Sequence, residues 1–392
     1  MNKAVLKNEV QEFVLDNLSV DIPSLLLKKP FFKEVSNKEL AQQIASKKKA
    51  KTKLPTWFKN NWVYYPDKLN LEQSSSEITA KYKANLVEGK SLIDLTGGFG
   101  VDSYFFSQRT DEVYHCEVNP ELSEIALHNF EVLGRKNIIP VLGNGLEFLR
   151  RTTQHFNWVF IDPSRRHGTK GKVFFLKDSV PDVTQHLTLL FSKTNRVLLK
   201  TSPLLDISSG IRDLTNVKEI HVVAVGNEVK ELLWVLQSGF KGDIAIKTLN
   251  FGKFQVDNFD FNLYEEKEQK PNFSIPRNYI YEPNAAILKS GAFALVANRY
   301  DLYKLHEHTH LYTSDRSISF PGRRFCLKQS FPYSKKIKKM LGLQKANLAT
   351  RNFPETVASL RQKFTIADGG EHYLFFTRDL YSKRIVLLCK KE

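Results

Sequence analysis

Cysteine is scarce in this chain: Cys116, Cys326 and Cys389 are the only three in 392 residues. They form no Cys-x-x-Cys pair and no framework of bridges, so a disulfide-stapled secreted fold and a thiolate zinc site are both excluded as first expectations. Long apolar runs are missing too. The longest are a few residues, far short of a membrane span. Glu9, Glu12 and Asp16 interrupt the apolar positions near the start, which is incompatible with a secretory signal core. There are no internal repeats and no low-complexity tract. What remains is a chain with 42% hydrophobic residues, enough for packed cores, and a length suited to two to four domains. A cytoplasmic, metal-free protein is the expectation.

The charge is +16, and it is unevenly placed. Residues 1–70 hold 13 basic and 7 acidic side chains, and residues 321–392 hold 16 and 5. The 250 residues between are nearly neutral, with 29 and 30. Basic end-pieces around a neutral middle are the electrostatic footprint of a polyanion binder. A membrane surface would need an amphipathic or lipidated anchor, which the sequence does not offer. Nucleic acid is the expected partner.

Residues 1 to about 50 read as helical, with Val5, Val10, Phe13, Val14 and Leu18 at helical spacing and a lysine run at 47–53. An aromatic loop, LPTWFKNNWVYYP, follows. Then strands and helices alternate. SLIDLT (91–96), VYHCEV (113–118), IIPVL (138–142), WVFID (158–162) and RVLLKT (196–201) read as strands, with helices at 101–108, 120–133, 145–152 and 178–191 between them. Repeated βαβ units imply a mainly parallel sheet. EIHVVAVG and ELLWVLQ suggest a hairpin closing the sheet edge. Beyond 246 come an edge strand, a linker (YEEKEQKPN), a small mixed unit around YEPNAAIL and LHEHTHLYTS, and a last unit with a basic helix, a second helix after Pro354 and a closing hairpin.

The strongest constellation is DLTGGFG, Asp94 to Gly100. A strand enters a glycine cluster and a helix follows, so the backbone can turn sharply and approach a ligand. Thr96, Gly97, Gly98 and Gly100 are the candidate cradle. The spacing is not the G-x-G-x-x-G of a pyrophosphate site, and the acid Asp94 precedes the turn. A carboxylate there suits a ligand bearing ammonium and sulfonium charge, as S-adenosyl-L-methionine does. Glu117 ends the second strand, where an acid can accept both ribose hydroxyls. Asn144 follows the third strand, placed to read an adenine edge or to cap the next helix.

The fourth strand ends in D-P-S-R-R, Asp162 to Arg166. It resembles the [DN]-P-P-[aromatic] loop of enzymes that methylate exocyclic base amines, where the acid and a backbone carbonyl hold the amine. Asp162 and Pro163 fit; Arg165 stands in the aromatic position. A guanidinium can stack on a base, and Arg165 and Arg166 can equally clamp phosphates. A second reading takes Lys81 or Lys83 with Asp162, Lys200 and Glu231 as the two-lysine, two-acid set of a ribose 2′-O-methyltransferase. Methylation at a pyrimidine carbon would need a cysteine nucleophile, and Cys116 sits on the wrong side for it. His306, His308 and His310 alternate as a strand would, and a solvated or RNA-facing strand is favoured over zinc.

The motifs LNLEQSSSEITAKYK (69–83), DLTGGFGVD, DPSRR, YEPNAAI, FPGRRF, RNFP and ADGGEHYLF together resemble the class I S-adenosylmethionine-dependent methyltransferases with a ferredoxin-like insert and a C-terminal THUMP-like domain. The resemblance covers nearly the whole chain. It implies a doubly wound α/β fold with a seven-stranded Rossmann-like sheet over 75–245, a helical region before it (1–74), a ferredoxin-like α+β unit (246–320) and a basic THUMP-like RNA-binding unit (321–392). It also implies that Gln73 and Ser75 lie near the cofactor, and that the substrate is RNA, tRNA or rRNA. Arg323, Arg324, Lys335, Lys336, Lys338, Lys339 and Arg351 are then the candidate RNA contacts. A non-catalytic RNA-binding protein of the same fold is the rival, and a protein or small-molecule methyltransferase would leave the basic C-terminal unit unexplained.

Overall fold

The computed structural model describes residues 1–165, 175–334 and 337–392. The chain divides into two compact units, one formed by 1–217 with 234–240 and the other by 218–233 with 241–392.

In the first unit, apolar runs bounded by glycine or polar residues give buried parallel strands. These are β1 (Gly89–Asp94), β2 (Thr110–Glu117), β3 (Ile138–Leu142), β4 (Trp158–Ile161) and β5 (Arg196–Thr201). They lie in the order β3-β2-β1-β4-β5, all parallel. The order reverses at β1, and the carboxyl ends of the strands at such a reversal are the ligand position of sheets of this kind. The helices Val101–Phe106, Pro120–Val132 and Gly145–Arg151 join successive strands, each within two residues of the expected bounds.

The expected helix at 178–191 is largely absent. Pro181 has no N–H to give a helix, and Asp182 takes the Thr184 N–H and hydroxyl into a 3₁₀ turn. Only Leu187–Phe191 is α-helical there.

The aromatic loop is interior structure. Trp57 is fully buried against Phe99, Tyr104 and Phe105. The Asn129 amide pairs with both backbone groups of Tyr64 at 2.9 Å, and Gln43 does the same for Tyr65 at 2.8 and 3.0 Å. Gln43 lies on a long helix, Asn37–Lys53, which begins in a Ser36/Glu39 capping box. The N-terminal region is thereby riveted to the parallel-sheet domain within the same unit.

The second unit begins with β6 (Val217–Val225). The next strand, β7 (Glu228–Gln237), crosses the division, with residues from Trp234 on in the first unit. Then β8 (Ala245–Phe251) runs parallel to β6, and β9 (Val256–Asn262) closes antiparallel on β8. The segment expected to be a linker holds a helix, Leu263–Glu268. Its Glu266 accepts the free N–H groups of Phe293, Ala294 and Leu295 at 2.8–3.0 Å, capping another helix by carboxylate.

A seven-stranded sheet spans residues 279–391. Its strands are β10 (Tyr279–Pro283), β11 (Tyr303–His306), β12 (Thr309–Ser314), β13 (Gly322–Pro332), β14 (Asn347–Thr350), β15 (His372–Arg378) and β16 (Arg384–Lys391), in the order β11-β12-β10-β13-β16-β15-β14. One face buries Ile280, Leu305, Leu311, Phe325, Phe375 and Leu387 in a single cluster. The three histidines do not share a strand face as expected. The chain turns at Glu307 and His308, leaving His306 and His310 on opposite arms of a hairpin. His310 stacks on Phe293 at 3.6 Å, and burial pushes its pKa down to about 4.

Candidate active site

Asp94 ends β1 and is almost wholly buried. Its carboxylate accepts the Ser103 hydroxyl at 2.7 Å and the Thr96 N–H at 3.0 Å. Burial outweighs these bonds and raises its pKa to about 7. The neighbours that act on it electrostatically are the acids Asp102 and Asp162, which push the pKa in the same direction. Ser103 also meets Nδ1 of His115 at 2.9 Å. Burial holds that imidazole neutral, with a pKa near 4, and its Nε2 has no hydrogen-bond partner among the described residues.

The glycine bend is shaped by close approach as well as by turn geometry. A β-carbon on Gly97 would lie 2.2 Å from the His115 ring. Gly98 and Gly100 take positive φ, 57° and 82°. The N–H of Gly98 donates to Glu117 Oε2 at 2.8 Å, and the N–H of Asn119 donates to Oε1 at 2.7 Å. Each Glu117 oxygen therefore keeps a lone pair for a diol. Thr96 faces the other way: its hydroxyl accepts the N–H of Asp162 at 2.7 Å. Glu117 and Asp162 are thus tied to the bend that Asp94 opens.

Asp162 is ion-paired with Lys200, at the end of β5; the two side chains are 31% and 14% exposed. Pro163 is buried. Arg165 pairs through its backbone with Ser179 in a two-residue ladder. Its side chain and all of Arg166 lie outside the described residues. Asn144 caps the helix Gly145–Arg151 through the N–H groups of Leu146 and Glu147, and its side chain is exposed. Gln73 is exposed too. Ser75 is buried, donating to Asp102 at 2.7 Å while accepting from Lys83 at 2.7 Å.

Of the lysines in the second reading, Lys83 is fully buried and ion-paired with Asp102 at 3.1 Å, whereas Lys81 pairs with Glu77 and is 58% exposed. Glu231 belongs to the second unit. Cys116 is buried, and burial raises its thiol pKa well above the usual range, so it carries no thiolate. Among the described residues no group of three His, Cys, Asp or Glu could hold a metal, and no helix is long and apolar enough to cross a membrane.

Sequence reasoning overlooked Asp102, Ser103 and His115. The first two open the helix after the glycine bend, and their polarity at buried positions was the available signal. Lys53 was read only as part of a charge run.

In the second unit, Glu282 is 3% exposed and holds two of the candidate RNA contacts, Arg323 and Arg351, one on each carboxylate oxygen. Arg324 donates to the Ile318 carbonyl at 3.0 Å. Lys335 and Lys336 lie outside the described residues, as do the side chains of Lys338 and Lys339.

Residues 279–321 match a family model described as a ferredoxin-like domain, and residues 322–391 one described as THUMP domain-like. The chain is similar over almost its whole length to a crystal structure from Porphyromonas gingivalis W83 described as a "putative methyltransferase". The identity is 32%, covering 99% of this chain and 98% of that one, with a TM-score of 0.88. It is also similar, at 14% identity over 45% of this chain and 70% of that one, to M. capricolum TrmK in complex with S-adenosyl-homocysteine. The TM-score of that match is 0.33. No curated protein matches the sequence.

Proposed function

We propose, from the premise that this chain belongs to the family of the Porphyromonas gingivalis protein and has its methyltransferase fold, that it transfers a methyl group from S-adenosyl-L-methionine to RNA, at an exocyclic base amine. One observation carries the reading: the glycine bend hydrogen-bonds to Glu117 on one side and to Asp162 on the other, with the desolvated Asp94 between. The residues fit the cofactor. Asp94 lacks a cation that the ligand would bring, Glu117 has acceptor capacity for a ribose, and a β-carbon at Gly98 would meet nothing closer than 3.9 Å.

The bound cofactor supplies an activated methyl group. The protein's part is positioning, since displacement at that carbon needs chiefly an aligned lone pair. Asp162 and the Pro163 carbonyl hold the acceptor, Arg165 and Arg166 its base or phosphates, and the THUMP-like unit the rest of the RNA. A cytoplasmic location and the division into helical, methyltransferase, ferredoxin-like and THUMP-like parts accompany this reading.

The Asp162–Lys200 ion pair favours a second reading. A lysine against that acid is half of the set that deprotonates a ribose 2′-hydroxyl. One experiment separates the two. The protein is incubated with methyl-labelled cofactor and total RNA, and the labelled nucleoside is analysed by mass. Label on the base supports the amine, and label on the ribose the hydroxyl. Asp162→Ala should abolish transfer and leave cofactor binding nearly intact. Absence of label from every nucleoside, with the cofactor bound, would overturn the RNA methyltransferase reading.

A further inference from the structure

Three lysines have partners in or next to the segments that carry the candidate site residues, and two of them are ion-paired. Lys83 is fully buried between Asp102 and Ser75. Lys200 is paired with Asp162. The third is Lys53, the last residue of the long N-terminal helix. Its Nζ donates to the backbone carbonyls of Leu71 and Glu72, at 2.7 and 2.8 Å. Among the described residues no carboxylate lies within ion-pair distance of it. An ammonium has three donors, so two carbonyls leave one over.

The position of Lys53 gives that donor meaning. Leu71 and Glu72 immediately precede Gln73 and Ser75. Ser75 is bonded to Asp102, whose neighbour Ser103 is bonded to Asp94. On the opposite side, Lys200 is joined through Asp162 and Thr96 to Asp94. Both Lys200 and Asp102 act electrostatically on Lys53, so its ammonium lies within electrostatic reach of both arms. Burial and the nearby lysines lower its pKa to about 8, as expected of a cation short of negative charge.

The methionyl tail of the proposed cofactor is a zwitterion, with ammonium and carboxylate on one carbon. A site holding the ammonium at Asp94 must answer the carboxylate nearby, and of the three lysines named above Lys53 is the one without a carboxylate partner among the described residues. We infer that Lys53, supplied by the N-terminal helical region, binds the carboxylate of the cofactor's amino-acid tail. The inference rests on the cofactor reading above. It makes the N-terminal region part of the cofactor site as well as a support for it.

The test is a ligand-and-protein cycle by calorimetry on the full chain, using S-adenosylhomocysteine and its carboxamide analogue. The wild type should bind the acid at least tenfold more tightly than the amide. Lys53→Met should weaken binding of the acid about tenfold and bring the two ligands within about twofold. Lys53→Arg should restore most of the preference. An equal loss for both ligands in Lys53→Met would make Lys53 a clamp on the Leu71 and Glu72 carbonyls only, and overturn the inference. Equal affinities in the wild type would overturn it without any variant, so a misfolded Lys53→Met does not shelter it. Wild-type protein that binds neither nucleoside defeats the cofactor reading itself.

Discussion

Ionisation of the Asp94 carboxyl group makes the proposed cofactor site pH-dependent. Its pKa rises from 3.8 to about 7 on folding because the group is buried. Between about pH 4 and 7 the folded apo protein therefore holds a proton that the unfolded chain has released, so this residue's contribution to stability falls as pH rises through that window. Above 7 the burial of the charge costs about 4 kcal/mol, taking 1.36 kcal/mol for each tenfold. A ligand ammonium needs the ionised form. With a pKa near 7, about a tenth of the sites are ionised at pH 6.0 and about three quarters at pH 7.5, and about a quarter of Lys53, with its pKa of about 8, is neutral at the higher pH, so affinity for S-adenosylhomocysteine should rise about sixfold over that range. His115 does not add to this titration, since it stays neutral above about pH 4. Calorimetry in two buffers of different ionisation enthalpy should detect up to one proton released on binding at pH 6.0. Asp94→Asn should flatten the pH profile and weaken binding at pH 7.5 by tenfold or more, the worth of a charge-assisted bond. Tight wild-type binding that is flat from pH 6.0 to 7.5, with no proton released, would refute the pairing of Asp94 with the ligand's positive charge.

Three further outcomes can be checked directly. Gly97→Ala places a methyl group 2.2 Å from the buried His115 ring, and overpacking of this kind should cost about 2 kcal/mol in a denaturant titration; adding His115→Ala should recover part of the loss, a non-additive pair. Glu282→Gln leaves two guanidinium groups without their carboxylate. Each arginine is about a third exposed, so the loss should be about 2 kcal/mol, below the roughly 3–5 kcal/mol of a fully buried pair, read as a lower unfolding midpoint. RNA affinity should fall steeply with salt, with a log–log slope of about −3 or steeper if four or more phosphates are contacted at about −0.7 each; a slope near zero would contradict a polyanion site.

The parallel-sheet domain could be read from the sequence because its strands are short apolar runs ending in polar residues at the ligand edge. The five strands of the first unit occur within a few residues of their expected positions. Where local pattern met tertiary context, reading stopped. LPTWFKNNWVYYP has no periodicity, yet Trp57 and Tyr65 are among the largest buried side chains, because the amides of Gln43 and Asn129 satisfy the adjacent backbone. YEEKEQKPN has the composition of a linker and forms a helix, since Glu265 completes a capping box and Glu266 caps the helix beginning at Phe293. His306 and His310 alternate as in one strand, but the turn at Glu307 separates them. In the site, DLTGGFG announced the bend and its carboxylate. The partners Ser103, His115 and Lys53 come from other segments, and only the folded chain shows which of many polar residues meet Asp94 or its surroundings.

The Glu282 clamp changes how the basic C-terminus should be understood. Arg323 comes from the segment matched to the THUMP-like model, directly opposite Glu282 in the register of β10 and β13, and Arg351 follows β14. Glu282 itself comes from the ferredoxin-like segment, so one buried acid locks the two family segments together through two arginines that sequence reasoning assigned to RNA. Other bases are paired as well: Arg361 with Asp368, Lys363 with Glu355 and Lys390 with Glu371. Pairing relocates charge without removing the excess. Residues 321–392 hold 16 bases against 5 acids, so the acids, even with Glu282 added, neutralise fewer than half of the bases. A surplus that large raises the self-repulsion of the compact unit unless counterions or a polyanion gather on it. The slope of RNA affinity against salt therefore measures the unit's capacity for RNA, whereas a tally of its internal ion pairs does not.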